Sequence, residues 1–297
     1  MSVLLDADVV EKYILVIVLN VVTGSFVKSA WKRAITMNNS DFKRIGYKPL
    51  NGKCYGHIAH LRGSKTGPGD HICNIGDQIR ATEKVKDKHD RIIVLEKLDG
   101  SNVGVAKLED GYCVALIRAG YVAMSSKYLQ HKLFCNWVWD NLHRFNSMLE
   151  VGERACGEWL AMAHGTRYKL QHEPLVIFDI MRENTRICND VLVDRTRKYN
   201  FVTPHVIHVG GSLSIKEAIK KLGTYGYHGA LDPVEGCVWR IERNEPINKY
   251  DNSSPRQWIV KNLVKYVRPD KKDGIYFKDR DEDAIWNYPP DRFKKYT

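Results

Sequence analysis

The stretch Glu96-Lys97-Leu98-Asp99-Gly100-Ser101-Asn102 constrains the fold more than any other part of the chain. The apolar run Ile92-Ile93-Val94-Leu95 precedes it and the alternating Val103-Gly104-Val105-Ala106 follows, so two strands are expected to meet at a glycine turn. This places a lysine at the end of a strand, beside an acidic residue. Lysine amines become nucleophiles where burial or a neighbouring cation keeps part of them neutral. Gly100 allows a tight turn or close approach to a ligand, and Asp99 and Asn102 supply polar groups next to it. By itself Lys-x-Asp-Gly arises by chance in about one chain in fifteen of this length. An exposed turn with an incidental lysine is the competing reading, and the rest of the sequence decides between them.

The chain has 297 residues, enough for one large domain or two small ones with an ample core. Its 46 Lys and Arg against 35 Asp and Glu give a net charge of +11. That excess suits a polyanionic partner, nucleic acid being the commonest, and predicts binding that weakens with salt. The seven cysteines (54, 73, 113, 135, 156, 188 and 237) are widely spaced and form no Cys-x-x-Cys pair. Several lie in apolar, strand-like runs, so reduced core thiols in a reducing compartment are expected, with the cytoplasm as location.

Residues 1–36 differ from the rest and are expected to form an extension. Their apolar run from Tyr13 to Val22 is broken by Asn20 and is shorter than the roughly 18 apolar residues of a membrane span. Asp6, Asp8 and Glu11 stand where a signal peptide would be basic. A packed helix, a weak anchor and a non-native extension all remain open, and membrane association is not the expectation. Residues 37–90 are expected to pack on a catalytic domain. Within them Arg62-Gly-Ser-Lys-Thr-Gly-Pro-Gly-Asp70 lacks Walker A spacing and reads as a surface loop, unless Arg62, Lys65 and His71 touch nucleic-acid phosphate.

Residues 91–268 read as mostly strands with a few helices, an α+β domain of mainly antiparallel sheets. Val103 to Lys107 and Tyr112 to Arg118 flank Asp110-Gly111, a type I′ hairpin signal, and a held register would bring Arg118 near Lys97. Ser126 is placed to cap a helix running to about Leu149. Arg154 to Ala161, Pro174 to Met181, Glu235 to Glu242 and Trp258 to Val267 are further strands, with a capping box Ser214-Ile-Lys-Glu217 opening a short helix stopped by Gly223. Residues 269–297 form a charged tail in which Tyr276, Phe277, Trp286 and Tyr288 are candidates to dock on the domain.

Taken together, these residues resemble the covalent nucleotidyltransferases, the superfamily of polynucleotide ligases and capping enzymes. Lys97-Leu-Asp-Gly-Ser-Asn102 looks like motif I and Arg118-Ala-Gly120 like motif Ia. Gly157-Glu158-Trp159, Ile177-Phe178-Asp179-Ile180, Glu235-Gly236-Cys-Val238 and Val260-Lys261 look like motifs III, IIIa, IV and V, in the family's order. Gly157 to Tyr168 is similar to the ATP-dependent RNA ligases of the RNA ligase 2-like branch. The resemblance implies the nucleotidyltransferase (ATP-grasp-like) fold, ATP as cofactor and Mg²⁺ or Mn²⁺ as metal. Lys97 would attack the α-phosphate to give lysyl-AMP, and the AMP would pass to an RNA 5′-phosphate before a 3′-hydroxyl displaces it.

The same resemblance implies catalytic roles for Lys97, Asp99, Arg118, Glu235 and Lys261. It implies nucleotide contacts from Glu96, Lys97, Asn102, Arg118, Glu158, Phe178, Glu235, Lys261 and Lys265. Fixed cations at Arg118 and Lys261 suit charge developing on phosphorus, Glu158 suits a ribose hydroxyl, Phe178 an adenine face, and Glu235 the metal or its waters. On pattern alone Phe178 is a core residue and Arg118 a partner for a surface acid. Asp179 is harder to bury without a partner. RNA ligases usually carry a second lysine where this chain has Leu263. Strand alternation puts Lys261, Leu263 and Lys265 on one face, so Lys265 is the expected substitute. The short sequence after motif V leaves no room for an OB domain, so the N-terminal stretch or a protein partner is expected to supply the RNA platform. A GTP-dependent capping-type guanylyltransferase and a catalytically silent RNA-binding protein are the alternatives.

Overall fold

The computed structural model describes residues 47–248, 250, 253–277 and 283–293. The N-terminal extension, with its apolar run, lies outside them. No helix among the described residues is long and apolar enough to cross a membrane.

Two five-stranded sheets carry the domain. One has the order β1 (Ala59–His60), β10 (Arg256–Val267), β9 (Gly236–Pro246), β2 (Asp90–Lys97), β8 (Val206–Gly210). The other runs β4 (Cys113–Ile117), β3 (Ser101–Lys107), β5 (Glu153–Trp159), β6 (Leu175–Arg182), β7 (Thr185–Arg186). Every pairing between these strands is antiparallel except β1 with β10. The expected α+β class with mainly antiparallel sheets is therefore what the chain forms.

Each sheet buries one face under helices. The first packs Ile92, Val94, Trp239 and Ile241 against Ala81 of α1 (Ile75–Thr82) and Ala218 and Leu222 of α5 (Ile215–Leu222). The second packs Val103, Val105 and Ile177 against Phe134 and Trp137 of α2 (Leu129–Asp140) and Phe145 of α3 (Leu142–Met148). A last helix, α4 (Asn189–Lys198), follows β7. Ser214 accepts from the Glu217 N–H at 3.3 Å and Gly223 ends α5 at φ +72°, the capping box and stop read from the sequence.

Three local expectations need correction. The single helix expected to run to Leu149 is broken at Asn141, whose amide donates to the Trp137 carbonyl and whose carbonyl oxygen accepts from Arg144. The residue at the N-cap of α2 is Tyr128, while the Ser126 hydroxyl turns to His131 at 2.7 Å and accepts from the Tyr128 N–H. The β3–β4 turn is wider than type I′: only Gly111 has positive φ, and Asp110 accepts from the Tyr112 N–H as an Asx turn.

The strand β2 belongs to one sheet and β3 to the other, and only Leu98-Asp99-Gly100 joins them. Gly100 is required at this crossing, because a Cβ there would lie 2.5 Å from the Trp159 carbonyl oxygen. Elsewhere the sheets are tied by charge. Asp179 on β6 is wholly buried, and it accepts from Arg240 of β9 at 2.6 Å, Arg186 at 3.0 Å and the Tyr55 hydroxyl at 2.6 Å. Arg240, equally buried, also bonds Glu242 at 2.7 Å and the Ile187 carbonyl, while Glu242 takes Arg91 at 2.6 Å and the Asn189 N–H. Asp179 is thus buried because it is paired three times over. Removing one member leaves buried charge uncompensated, so Arg240→Met should lower the unfolding free energy by about 3–5 kcal/mol. Urea unfolding measures this, and a loss within error of zero would contradict the clasp.

Candidate functional site

Strand register assembles the site around the crossing. Lys97, the last residue of β2, lies opposite Gly236, which places Glu235 beside it. Asn102 on β3 lies opposite Glu158 on β5. The Arg118 N–H bonds the Asn102 carbonyl at 3.1 Å, so the hairpin brings Arg118 to the turn as expected. Gly120 of the same motif sits at φ +91°, and a Cβ on it would overlap the Gly52 carbonyl. The N–H groups of Cys54 and Tyr55 bond the Arg118 carbonyl, seating the N-terminal segment on this hairpin.

A cleft of about 500 Å³ opens between the sheets. Glu96, Lys97, Asp99, Asn102, Arg118, Glu158, Phe178, Glu235 and Lys265 all line it. The Lys97 ammonium donates to Glu235 Oε2 at 2.6 Å, and Glu158 Oε1 accepts the Gly100 N–H at 3.1 Å. Burial alone would lower the Lys97 amine, but the Glu235 and Glu158 carboxylates outweigh it and hold the ammonium form above its ordinary range. Burial pushes the Glu158 carboxyl up to about 7 against the pull of Lys97, with Glu235 adding like-charge repulsion. Phe178 is half-buried and faces the cleft between two buried neighbours, its ring edge-on to Tyr55 at 5.0 Å. Phe178 thus packs against the buried cluster around Tyr55, Cys156 and Met181, as pattern alone suggests, and also presents its ring to the cleft.

Lys261 is the exception among the sequence candidates. It is not among the residues lining the cleft, and its ammonium pairs with Glu245 at 2.6 Å. A bulge between Val260 and Asn262 takes Lys261 out of the ladder, which breaks the alternation that would have put it on the face of Leu263 and Lys265. Leu263 and Lys265 do face the cleft. Burial and the Lys97 ammonium lower the Lys265 amine, and Asp70 lies 3.6 Å from it. The loop that carries Asp70 is held to β10 by Leu61 and Lys65 N–H groups, and Lys65 itself pairs with Asp273 at 2.9 Å. Arg62 and His71 are exposed on that loop.

Asp99 is an anchor in this arrangement. Its Oδ2 accepts from the Gly165 N–H at 3.1 Å and the Thr166 hydroxyl at 3.3 Å, and Lys271 lies 3.2 Å away. Lys271 escaped the sequence reading, since the charged run Arg268-Pro-Asp-Lys-Lys-Asp carries no apolar period to mark a buried side chain. The docking expected of the following aromatics does occur: Tyr276 donates to Asp232, Phe277 packs on Tyr128 and His164, and Trp286 bridges to Met162. Glu96 is also buried. Its Oε2 accepts the Tyr227 N–H at 2.9 Å, while Oε1 has no hydrogen-bond partner.

No group of three or more metal-ligating side chains occurs among the described residues. Mg²⁺ usually takes one or two carboxylates and keeps water or phosphate for its other positions. Glu235 and Glu158 both line the cleft, and the like-charge repulsion that Glu235 adds to the burial of Glu158 is one that a divalent cation would relieve.

The sequence profile of the RNA ligase family matches residues 90–267, which takes in β2 to β10 and every residue of the cleft within them. The chain belongs to the RNA ligase family. Among solved structures, an archaeal ATP-dependent RNA ligase is similar at 18% identity and TM-score 0.43, over 72% of this chain and 48% of that one. A putative ATP-dependent DNA ligase from Aquifex aeolicus has 19% identity and TM-score 0.41, over 72% and 49%. A Naegleria gruberi RNA ligase mutant with AMP and Mn has 12% identity and TM-score 0.43, over 73% and 57%. The chain spans about half the length of these structures. No curated protein matches it. The stretch that resembles motif I lies at the sheet crossing, and β10 presents Lys265, not Lys261, to the cleft.

Burial raises Glu96 to about 7, with the Tyr227 N–H pulling the other way. A carboxyl raised on folding adds stability that is complete below its unfolded value, near 4.5, and is lost as pH rises through about 7. Glu96→Gln removes that dependence. Between about pH 5 and about pH 8 the variant should gain on the wild type by on the order of 2 kcal/mol in urea unfolding. Parallel pH curves for the two proteins would contradict the assignment.

Proposed function

We propose that the chain is an ATP-dependent RNA ligase that works through a lysyl-AMP intermediate at Lys97. The observation that carries this reading is the convergence of Lys97, Glu158, Glu235, Phe178, Arg118 and Lys265, from separate strands and turns, on one cleft. Once the Lys97 ammonium has released a proton to solvent, its Nζ lone pair attacks the α-phosphorus of ATP; a P–N bond forms as the nitrogen sheds a second proton, and the bond to pyrophosphate breaks with its electron pair leaving on oxygen. A 5′-phosphate oxygen of RNA then attacks the same phosphorus, and the P–N bond breaks as the amine regains a proton. A 3′-hydroxyl finally attacks the 5′-phosphate, expelling AMP and sealing the strand.

The chain's own groups account for the rest. Arg118 and Lys265 supply fixed positive charge for the phosphates, and Phe178 supplies a ring face for adenine. Glu158 accepts from a ribose hydroxyl, with Asn102 opposite it, its Oδ1 unpartnered, as a further polar contact in the cleft. Glu96 sets the wall behind the base. Glu235 and Glu158 would hold Mg²⁺ or Mn²⁺, which when bound supplies charge neutralisation for the phosphates. Because Glu235 holds Lys97 as an ammonium, the amine form is scarce at neutral pH, and adenylylation should accelerate from about pH 7 to about pH 9. The net charge of +11 suits RNA as the second substrate.

Incubating the full chain with α-labelled ATP and a divalent cation should leave label that survives denaturation. Lys97→Ala should abolish it, Lys265→Met should reduce its rate about 100-fold, and Lys261→Ala should stay within about threefold of wild type. Label from GTP alone would place the protein with the capping enzymes, and no label from either nucleotide would overturn the enzymatic reading.

A further inference from the structure

Resting on the Lys97 reading, we infer that Lys271 is a positioning residue, whose buried ammonium fixes the turn after Lys97 against the two loops that complete the cleft. After β10 the Arg268 N–H bonds back to the Glu235 carbonyl at 2.9 Å, and the Lys271 N–H closes a turn onto the Arg268 carbonyl at 3.1 Å. That turn drives Lys271 inward, to 7% exposure. Its ammonium donates to the Gly165 carbonyl at 2.7 Å, to the Thr166 hydroxyl, and to the Pro233 carbonyl at 3.2 Å, with Asp99 Oδ2 at 3.2 Å.

These oxygens come from three places. Asp99 is two residues after Lys97, Gly165 and Thr166 follow β5, and Pro233 is two residues before Glu235. One ammonium therefore ties the nucleophile's turn to the segment that delivers its carboxylate partner. Lysine is almost never buried unless paired, and holding its flexible stem in one rotamer costs entropy, so a solvated tail would not adopt this arrangement. Further contacts fix the cage. The same Asp99 oxygen accepts from the Gly165 N–H and Thr166 hydroxyl, and the Asp99 N–H donates to the Tyr168 hydroxyl at 3.1 Å. From outside, Lys65 donates to the Lys271 carbonyl and pairs with Asp273, and the Tyr276 N–H bonds the His164 carbonyl at 2.8 Å. Divergent point contacts of this kind suit an ammonium, and a planar guanidinium fork would not reproduce them.

The test uses the full chain with Lys271→Met, Lys271→Arg and Lys271→Ala, and Thr166→Val as a milder change in the same cage. For Lys271→Met the rate of lysyl-AMP formation should fall about 10–100-fold with KM for ATP within about threefold, as is typical when a supporting partner of a site is lost. Lys271→Arg should not restore it. Added n-propylammonium should rescue Lys271→Ala saturably and leave the wild type unchanged. A readout that needs no nucleotide is hydrogen exchange at the Asp99 and Gly165 amides, which should quicken in Lys271→Met and, less, in Thr166→Val. A wild-type rate in folded Lys271→Met would overturn the inference, as would slowed chemistry with no amine rescue and unchanged exchange. If the wild type takes no label from ATP, the Lys97 reading fails, while the exchange measurement still judges Lys271.

Discussion

The close approach of Gly100 to the Trp159 carbonyl is the contact on which the rest of the site depends. It lets the chain leave one sheet at Lys97 and enter the other at Ser101 with only three residues between. Once the two strands are so joined, antiparallel register does the remaining placement. The partner of β2 delivers Glu235, the partners of β3 deliver Glu158 and Arg118, and β10, one strand further on, delivers Lys265. The buried Asp179–Arg240–Glu242 cluster holds the sheets together elsewhere, so that the cleft has a rigid back. A site built on strand ends in this way is fixed by backbone geometry, and side-chain packing alone would hold it less well.

Charge in the cleft is balanced before any nucleotide arrives. Lys97 is neutralised by Glu235, Lys265 faces Asp70, and Asp99 is held by Lys271 and the Gly165–Thr166 loop. Glu158 accepts the Gly100 N–H, and burial pushes its carboxyl up to about 7 although the Lys97 ammonium pulls the other way. On the proposed reading, a polyphosphate entering this cleft would meet lysines already paired, and Lys97 would have to lose its ion pair before it attacks. On that reading amine activation would be tied to nucleotide binding, with the Lys97 ammonium held by Glu235 until then.

Much of this was legible in the sequence because it rests on strand alternation and turn residues. The runs around 92–106, 154–161, 174–181, 235–242 and 258–267 all appear as strands, and Ser214 and Glu217 cap their helix as read. What failed did so for local physical reasons. Lys261 looked like the motif V cation, but one bulge residue turns it to Glu245 and leaves Lys265 in the cleft. Asp179 looked anomalous in an apolar strand because two of its partners, Tyr55 and Arg240, are remote in sequence, and the third, Arg186, reaches it only once β7 folds back on β6. Lys271 was invisible, since a lysine in a charged run looks like solvated surface until the turn at Arg268 folds it inward. Period and propensity describe how a segment meets water, whereas these three residues are defined by what they meet across the fold.

The central claim is that Lys97, alone among the many lysines of this chain, is the covalent carrier. Peptide mapping by tandem mass spectrometry, after the wild-type protein has reacted with ATP and a divalent cation and been denatured, tests it most directly. The account predicts a single AMP adduct, on the Nζ of Lys97 within Glu96-Lys97-Leu98-Asp99-Gly100, linked by an acid-labile P–N bond. An adduct on Lys265 or Lys271, or adducts scattered over surface lysines, would contradict it.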